Sequence, residues 1–492
     1  MSTPKFRVAI CGGGVGGLVL AVALSRYPDI RVDIYESSTS FTEAGAGVGL
    51  WPRTWKIMEA LDLHRDLKKV AIVPPGKVPS QYGLIPPDRT PPLTIPPDVS
   101  FTFRKADQPI GISFHQLMKP GEVYCYLIDR IHADGSEGML SFHRPDFLNV
   151  LTQHLSDSSC RTHSSKRLVS YRYEQQTSPS RRRSHHPPIT LQFHDGTAAQ
   201  CDLLIGADGI QSAVRGCMLR EAAGKSRANG RVQEANELLS EIEPRWSGMT
   251  MYRTTISSEA LNRKLSRHRV LHEPMVYVGT NTQVTAYPVA RGTQVSVAVT
   301  RVQLDLENTP VDGPWIQTSS REDLIHEFDH WEPEVQAVLQ CVQSMSRWAI
   351  HTSPQLKSYV SGRVGLIGDA AHAMLPYESV GSGQAIEDAH LLATLLGHPS
   401  TTIDTLTRAL ETYDRVRRPF IQMVGEGSKE NALLYTLNYP SLRFDEPERH
   451  DEKRLQRLSE VCHRIKKNWE WVWNTTLEGD IDRALGMLEN RR

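Results

Sequence analysis

Phe6-Arg7-Val8-Ala9-Ile10-Cys11-Gly12-Gly13-Gly14-Val15-Gly16-Gly17 follows a short polar lead, and residues 18–24 continue it without a charge. An apolar, β-prone run enters a glycine cluster, and a second apolar run of helical length leaves it. Gly12, Gly14 and Gly17 stand at the G-x-G-x-x-G spacing of a strand–turn–helix that holds a dinucleotide. In that reading Gly12 permits the tight turn, and Gly14 lets the backbone approach a pyrophosphate. Gly17 lets the helix pack close to the strand, whose following helix N-terminus offers N–H groups to the phosphates. A second strand over residues 31–35 ends at Glu36, 24 residues after Gly12 and near the ~20 expected for a ribose-binding carboxylate. A carboxylate there accepts from ribose hydroxyls and repels a 2′-phosphate, so FAD or NAD fits better than NADP. The plain alternative is a glycine-rich turn in an α/β core. Strand, helix and acid together favour the dinucleotide.

The chain has 492 residues, enough for two or three domains with substantial cores. Lys+Arg and Asp+Glu balance at 56 each, so no global field argues for a nucleic-acid partner, and none is expected. The opening residues show no cleavable signal pattern. The apolar run over residues 18–24 is far short of the ~20 residues that span a membrane, so no transmembrane segment is expected. Cys11, Cys125, Cys160, Cys201, Cys217, Cys341 and Cys462 show no C-x-x-C pair and no metal-ligand spacing. They read as reduced thiols of a cytoplasmic protein without a metal site.

A small-residue loop over 41–49 ends at Gly49 and can lie along a cofactor, because only small residues permit close backbone approach. A helix from about 52 to 61 follows, with Pro52 at its start. Residues 74–97 are crowded with proline and read as an extended excursion; 101–104 and 124–131 read as short strands. Arg144 stands just before a helix with Leu148, Leu151 and Leu155 at helical spacing, either in a surface ion pair or reaching the cofactor. Residues 175–188 hold Arg181, Arg182, Arg183, His185 and His186 among Ser and Pro, a composition that builds a surface loop and no core. A strand over 189–193 and the turn Asp195-Gly196 form a hairpin.

Two later stretches repeat the opening pattern. Cys201-Asp202-Leu203-Leu204-Ile205-Gly206-Ala207-Asp208-Gly209 is a buried strand ending in an acid, and Ile210 to Arg215 lead into a helix. Asp208 either caps that helix or meets a ligand at the strand's carboxyl end. Val364-Gly365-Leu366-Ile367-Gly368-Asp369-Ala370-Ala371-His372 does the same, and Gly381-Ser382-Gly383 then opens a helix. Its positive N-terminus suits an electron-rich group. His372 reads as structural, since no nucleophile stands near it in sequence. Between these stretches, strands over 249–255, 275–278, 284–289 and 295–301 mark a sheet-rich, antiparallel domain. It carries Arg253, which needs an anionic partner if it faces inward, and Tyr287. The helical pattern over 408–423 breaks at Arg418-Pro419, and Trp469, Trp471 and Trp473 read as packing anchors.

Together, the opening motif with Glu36, Gly206-Ala207-Asp208-Gly209 and Gly368-Asp369-Ala370-Ala371-His372 resemble the single-component flavin-dependent aromatic monooxygenases of the p-hydroxybenzoate-hydroxylase type. The segment over 376–388 is most similar to the salicylate-hydroxylase-like branch, and departs from it at Glu378, Ser379 and Val380. The resemblance implies an α/β fold: a discontinuous Rossmann-like FAD-binding domain (1–75, 120–223, 350–435), a sheet-rich substrate domain (76–119, 244–349) and a helical C-terminal segment (436–492). It implies FAD as cofactor, NADH or NADPH and O2 as co-substrates, and a small aromatic substrate, as in fungal-type secondary metabolism. The oxygen would pass through a flavin C4a-hydroperoxide. Carried over by position, Glu36 would bind the adenosine ribose, Gly49 would touch FAD through its backbone, and Arg144 would reach the flavin nucleotide. Asp208 and Arg215 would belong to a motif shared by FAD and the pyridine nucleotide. Asp369 would hold the ribityl chain and Ser382 would face the flavin pyrimidine edge. Arg253 and Tyr287 would contact the phenolate. A flavin reductase or dehydrogenase, and a non-catalytic carrier on the same fold, are the alternatives.

Overall fold

The computed structural model describes residues 4–41, 47–72, 99–118, 140–156, 158–174, 186–289, 292–442, 444 and 451–490. The sequence-expected excursion over 74–97, the strand over 124–131 and most of the loop over 175–188 lie outside these residues.

The opening strand, Phe6–Cys11, is buried at five of its six positions, as a strand covered on both faces must be. It sits inside a six-stranded sheet in the order Val360–Ser361, Val364–Leu366, Leu203–Gly206, Phe6–Cys11, Ile30–Tyr35, Cys160–His163. All neighbours run parallel except the first pair. Three strands from distant parts of the chain therefore lie side by side, with Ile10 opposite both Ile34 and Ile205, and Ile205 opposite Gly365. The helix Val15–Leu24 buries nearly its whole surface on this sheet and crosses the helix Gly381–Gly397. A Cβ on Gly16 would stand 3.2 Å from the Ala385 Cβ, which is why the crossing is so close.

A second sheet has eight strands, in the order Ile316–Ser320, Ser344–Thr352, Arg245–Ser257, Gln294–Val302, Thr282–Val289, Met275–Gly279, Val99–Lys105, Ile112–Met118. It corrects the expectation of a purely antiparallel sheet in one place: Met275–Gly279 and Val99–Lys105 run parallel. No hairpin joins those two strands, so no turn imposes opposite directions. One face buries Tyr252, Tyr277, Val295, Val297 and Val299 with Val335 and Val338 of the helix Pro333–Gln340. The other face, through Met249, Val276, Val278 and Val302, packs with Leu375, Tyr377, Val380 and Trp469.

The helix Leu406–Tyr435 runs straight through Pro419, correcting the expected break at Arg418-Pro419. Arg417, Ile421 and Val424 are all buried, so tertiary contacts carry the helix past the missing N–H. The C-terminal helices Asp451–Asn474 and Glu478–Glu489 complete the molecule. The tryptophans pack as the sequence suggests: Trp469 stacks on Trp473, and both approach Trp51.

Candidate active site

The parallel sheet brings the three strand-ending motifs to one edge. Gly12 N–H donates to Tyr35 O at 2.8 Å, Ala207 N–H to Cys11 O at 2.7 Å, and Ile367 N–H to Gly206 O at 2.9 Å. The turns that follow therefore open side by side at the carboxyl ends of the strands, where open α/β sheets hold their ligands. Gly12 has φ +111°, and a Cβ there would stand 2.1 Å from Ala207 O; one on Gly17 would stand 2.0 Å from Gly12 O. Both glycines are demanded by the fold itself. Gly14 is different: a Cβ there would meet only Arg144 Nη2 at 3.6 Å, so no described residue fills the space before it. Gly14 caps the helix Val15–Leu24 without a side-chain hydrogen bond, leaving that helix end open to an anion.

Glu36 lies at the same edge, its Oε2 accepting from Gly13 N–H at 2.7 Å and its Oε1 from Ser38 N–H at 2.7 Å. Arg144 is the first residue of the helix Arg144–Gln153, half-buried against the glycine turn. Gly49 is held in the short strand Val48–Leu50, opposite Ser141. Asp208 does cap its helix, accepting from Val214 N–H at 3.1 Å and from the Ser212 hydroxyl. Burial pushes its carboxyl pKa up while those hydrogen bonds oppose the rise. Arg215 is 1% exposed and donates to Ala370 O at 2.8 Å and Ile242 O at 3.1 Å. It ties the second motif to the third from behind.

Asp369 is exposed at the start of the short helix Asp369–His372. Gly368 before it has φ +59°, with its N–H bound to Asp388 Oδ2 at 3.0 Å. Asp388 also accepts from His372 Nε2 at 2.6 Å and from Arg417 Nε at 2.9 Å, so His372 is structural. Ser382 is half-buried in the first turn of Gly381–Gly397, whose N-terminus also lacks a capping side chain. Two uncapped helix ends, a glycine turn facing open space and two acids at the strand ends are a donor and acceptor set that fits FAD.

Arg253 and Tyr287 come together by sheet register. Arg253 is opposite Ala298 and Tyr287 opposite Ser296, two positions apart on one strand, so both side chains share a face. That face is the one packed with Leu375, Tyr377 and Val380 of the third motif's loop. Both are half-buried, and Tyr287 meets Phe101 edge-on at 6.4 Å. Among the described residues Arg253 has no ion pair, leaving its guanidinium for an arriving anion. A cleft of about 210 Å³, lined by Ser353, Gln355, His372, Met374 and Lys429, runs along the Ala371–Leu375 segment and includes none of the expected site residues.

Sequence reasoning missed Glu378 and Asp388. Asp388 sits in the third motif's helix but shows its role only through Gly368 and Arg417, which spacing along one helix does not reveal. Glu378 was visible as a departure from the branch pattern; its burial was not.

Fold and site together define an FAD-binding protein, with the carboxyl edge of a parallel sheet beside a second, mostly antiparallel sheet. Residues 5–428 match the family described as FAD binding domain, and the chain belongs to it, in its salicylate-hydroxylase-like branch of FAD-dependent monooxygenases. It is 32% identical to a salicylate hydroxylase of Pseudomonas putida, across 98% of this chain and 94% of the relative. It is 31% identical to an FAD-dependent monooxygenase of Strobilurus tenacellus, across 99% and 98%. Among solved structures, a salicylate hydroxylase substrate complex superposes with a TM-score of 0.75 at 27% identity, covering 98% of both chains. No described helix is long and apolar enough to cross a membrane.

Proposed function

We propose that the protein hydroxylates a phenolic or aromatic-acid substrate, held as its anion by Arg253, at the expense of NADH or NADPH and O2. The observation that carries this reading is an arginine with no ion pair among the described residues, on the sheet face that packs with the flavin-side loop. Names of the relatives support it: one acts on salicylate, another on 6-methylsalicylate.

Gly12, Gly14 and Gly17 shape the pyrophosphate turn, Glu36 accepts from the adenosine ribose, and Arg144 neutralises phosphate charge. Gly49 lines the cofactor with backbone, Asp208 holds the strand end in place, and Asp369 accepts from the ribityl hydroxyls. Ser382 and the N-terminus of Gly381–Gly397 face the flavin pyrimidine edge and favour negative charge there. FAD, when bound, would supply the chemistry of accepting a hydride and activating O2. Arg253 lowers the cost of the substrate's anionic form by charge pairing, and Tyr287 orients its oxygen. The apolar floor around Val276 and Val278 excludes water. The free thiols among the described residues support a cytoplasmic setting.

Arg253→Ala tests the reading. The variant is expected to keep its flavin, lose at least tenfold in product per NAD(P)H consumed and release hydrogen peroxide instead, since removing one partner of a desolvated ion pair costs about 3–5 kcal/mol. Hydroxylation of a phenolic-acid panel under labelled O2, scored as product and peroxide, makes the measurement. Wild-type rate and coupling in the variant would place the substrate anchor elsewhere, and absence of label in every product would exclude a monooxygenase reaction on these substrates.

A further inference from the structure

The loop Pro376–Glu378 leads through Ser379 and Val380 into the helix Gly381–Gly397, whose first turn carries Ser382. Ser379 has φ +51°. A residue other than glycine persists there only when its neighbours are held. On one side Val380 is buried in the cluster that holds Val276 and Val278. On the other stands Glu378, with no accessible surface. Its backbone carbonyl accepts from Trp51 Nε1 at 3.3 Å. Its carboxyl oxygens accept from Asn431 Nδ2 of Leu406–Tyr435 at 3.1 Å and from Trp471 Nε1 of Asp451–Asn474 at 3.3 Å. Asn431 Oδ1 accepts in turn from Asn468 Nδ2 at 3.1 Å, which keeps Nδ2 turned toward Glu378. Trp51 follows the strand Val48–Leu50 that holds Gly49, and opens the helix Pro52–Ala60. That helix also lies against the start of Gly381–Gly397, since a Cβ on Gly383 would stand 2.7 Å from Thr54 Oγ1. One glutamate therefore joins the segment after Gly49, the segment before Ser382 and two C-terminal helices.

This joint lacks a cation. Among the described residues Glu378 makes no ion pair, and both partners of its carboxyl are neutral donors. The titratable and charged groups packed around it are Tyr377 on its own loop, Tyr435 of Leu406–Tyr435 and Arg53 of Pro52–Ala60. Burial pushes both tyrosine hydroxyls up and keeps them neutral. Arg53 stands over the Trp471 ring at 5.8 Å, with its guanidinium donating to Glu387. From Asp451–Asn474 come the neutral Asn468 and Trp471. Burial pushes the Glu378 carboxyl up to about 8. Below that pH the joint holds a proton, and above it a buried charge without a counter-ion.

We propose that Glu378 is a positioning residue for the flavin: protonated, it clasps the two segments that flank the cofactor to the C-terminal helices, and its ionisation slackens the loop that leads to Ser382. The clasp rests on the reading of Gly49 and Ser382 as flavin contacts, and adds a control by pH to that same site.

The test is visible circular dichroism of the FAD-loaded protein against pH, with FAD affinity measured alongside, in wild type, Glu378→Gln and Trp471→Phe. The wild-type flavin signal is expected to change in a one-proton step centred at about pH 8. FAD is expected to bind at least about threefold more weakly above the step than below it. Glu378→Gln, which cannot ionise, is expected to match the wild type at about pH 6 and to show no step. Trp471→Phe removes one donor to the anion, so its step is expected to move up by about half a unit or more. Ionisation of the flavin ring itself would appear in all three proteins alike. A wild-type signal without the step, a step that survives in Glu378→Gln, or an unmoved midpoint in Trp471→Phe would overturn the clasp. So would a melting temperature that follows pH while the flavin signal stays constant, the mark of a merely structural acid. If Glu378→Gln does not fold, the Trp471→Phe midpoint decides. Ser382→Ala reports on the underlying reading, because an unchanged flavin signal in that variant would fault the Ser382 contact and not the clasp.

Discussion

Glu378 has no accessible surface, and its carboxyl oxygens meet Asn431 Nδ2 at 3.1 Å and Trp471 Nε1 at 3.3 Å. Burial pushes its pKa up to about 8 from an ordinary 4.5, with the two donors opposing. The folded state thus binds this proton more tightly than the unfolded chain. The resulting stability is full below about pH 4.5 and is lost as pH rises through about 8. At about 1.4 kcal/mol per unit the loss amounts to at most about 5 kcal/mol. Glu378→Gln keeps the shape and cannot ionise. The two proteins are expected to melt alike near pH 4.5, the variant to gain on the wild type up to about pH 8, and the gap then to stay constant. Parallel melting curves across that range would show that another group sets the dependence. The glycine turn offers a second check. Gly14→Val is compatible with the fold, since only the flexible Arg144 tip stands near, but puts a side chain where backbone must meet pyrophosphate. It should stay folded and carry well under half the wild-type flavin per protein, read by absorbance. Gly17→Ala should instead fail to give soluble protein, because its Cβ meets Gly12 O. These glycines and Glu36 were legible in the sequence because their chemistry is local: spacing along one turn states it. Glu378 and Asp388 were not, because their partners arrive from helices tens of residues away.

At the level of elements, four helices are joined by one buried ionic network. Arg53 of Pro52–Ala60 donates to Glu387 at 2.8 Å and 3.0 Å, and approaches Asp480 of Glu478–Glu489 at 3.5 Å. Arg417 of Leu406–Tyr435 donates to Glu387 and Asp388 of Gly381–Gly397, each at 2.9 Å. The Arg417, Glu387 and Asp388 side chains are 0% exposed. Replacing Arg417 with Met leaves two buried carboxylates short of a cation, and is expected to cost about 3–5 kcal/mol of unfolding free energy in a urea titration. A loss under about 1 kcal/mol would mean that Arg53 and His372 compensate. The helix carrying Arg417 also shows where propensity misleads: Pro419 reads as a break, yet the burial of its neighbours outweighs one lost backbone hydrogen bond. Strands were easier to place than their faces. Alternation marked the sheet around Arg253, but which face it shares with Tyr287 depends on pairing with residues 296 and 298, a register that no single strand records.

On the scale of the whole molecule, the strand order has a consequence for how the protein comes into being. Phe6–Cys11 is made first, yet its neighbour Leu203–Gly206 follows nearly two hundred residues later, and Val364–Leu366 later still. During synthesis the first strand waits with one edge unpaired until Leu203–Gly206 is made, and that strand in turn waits while most of the other sheet is produced. The helix Gly381–Gly397, which completes the pocket's far wall, emerges after that. Cofactor capture is therefore a late event, and pairing across such long loops is slow. In refolding from urea with FAD present, quenching of flavin fluorescence is expected only in the slowest phase, after most of the secondary structure has returned. Until those partners arrive, the apolar edge of the first strand is open to pairing with another chain.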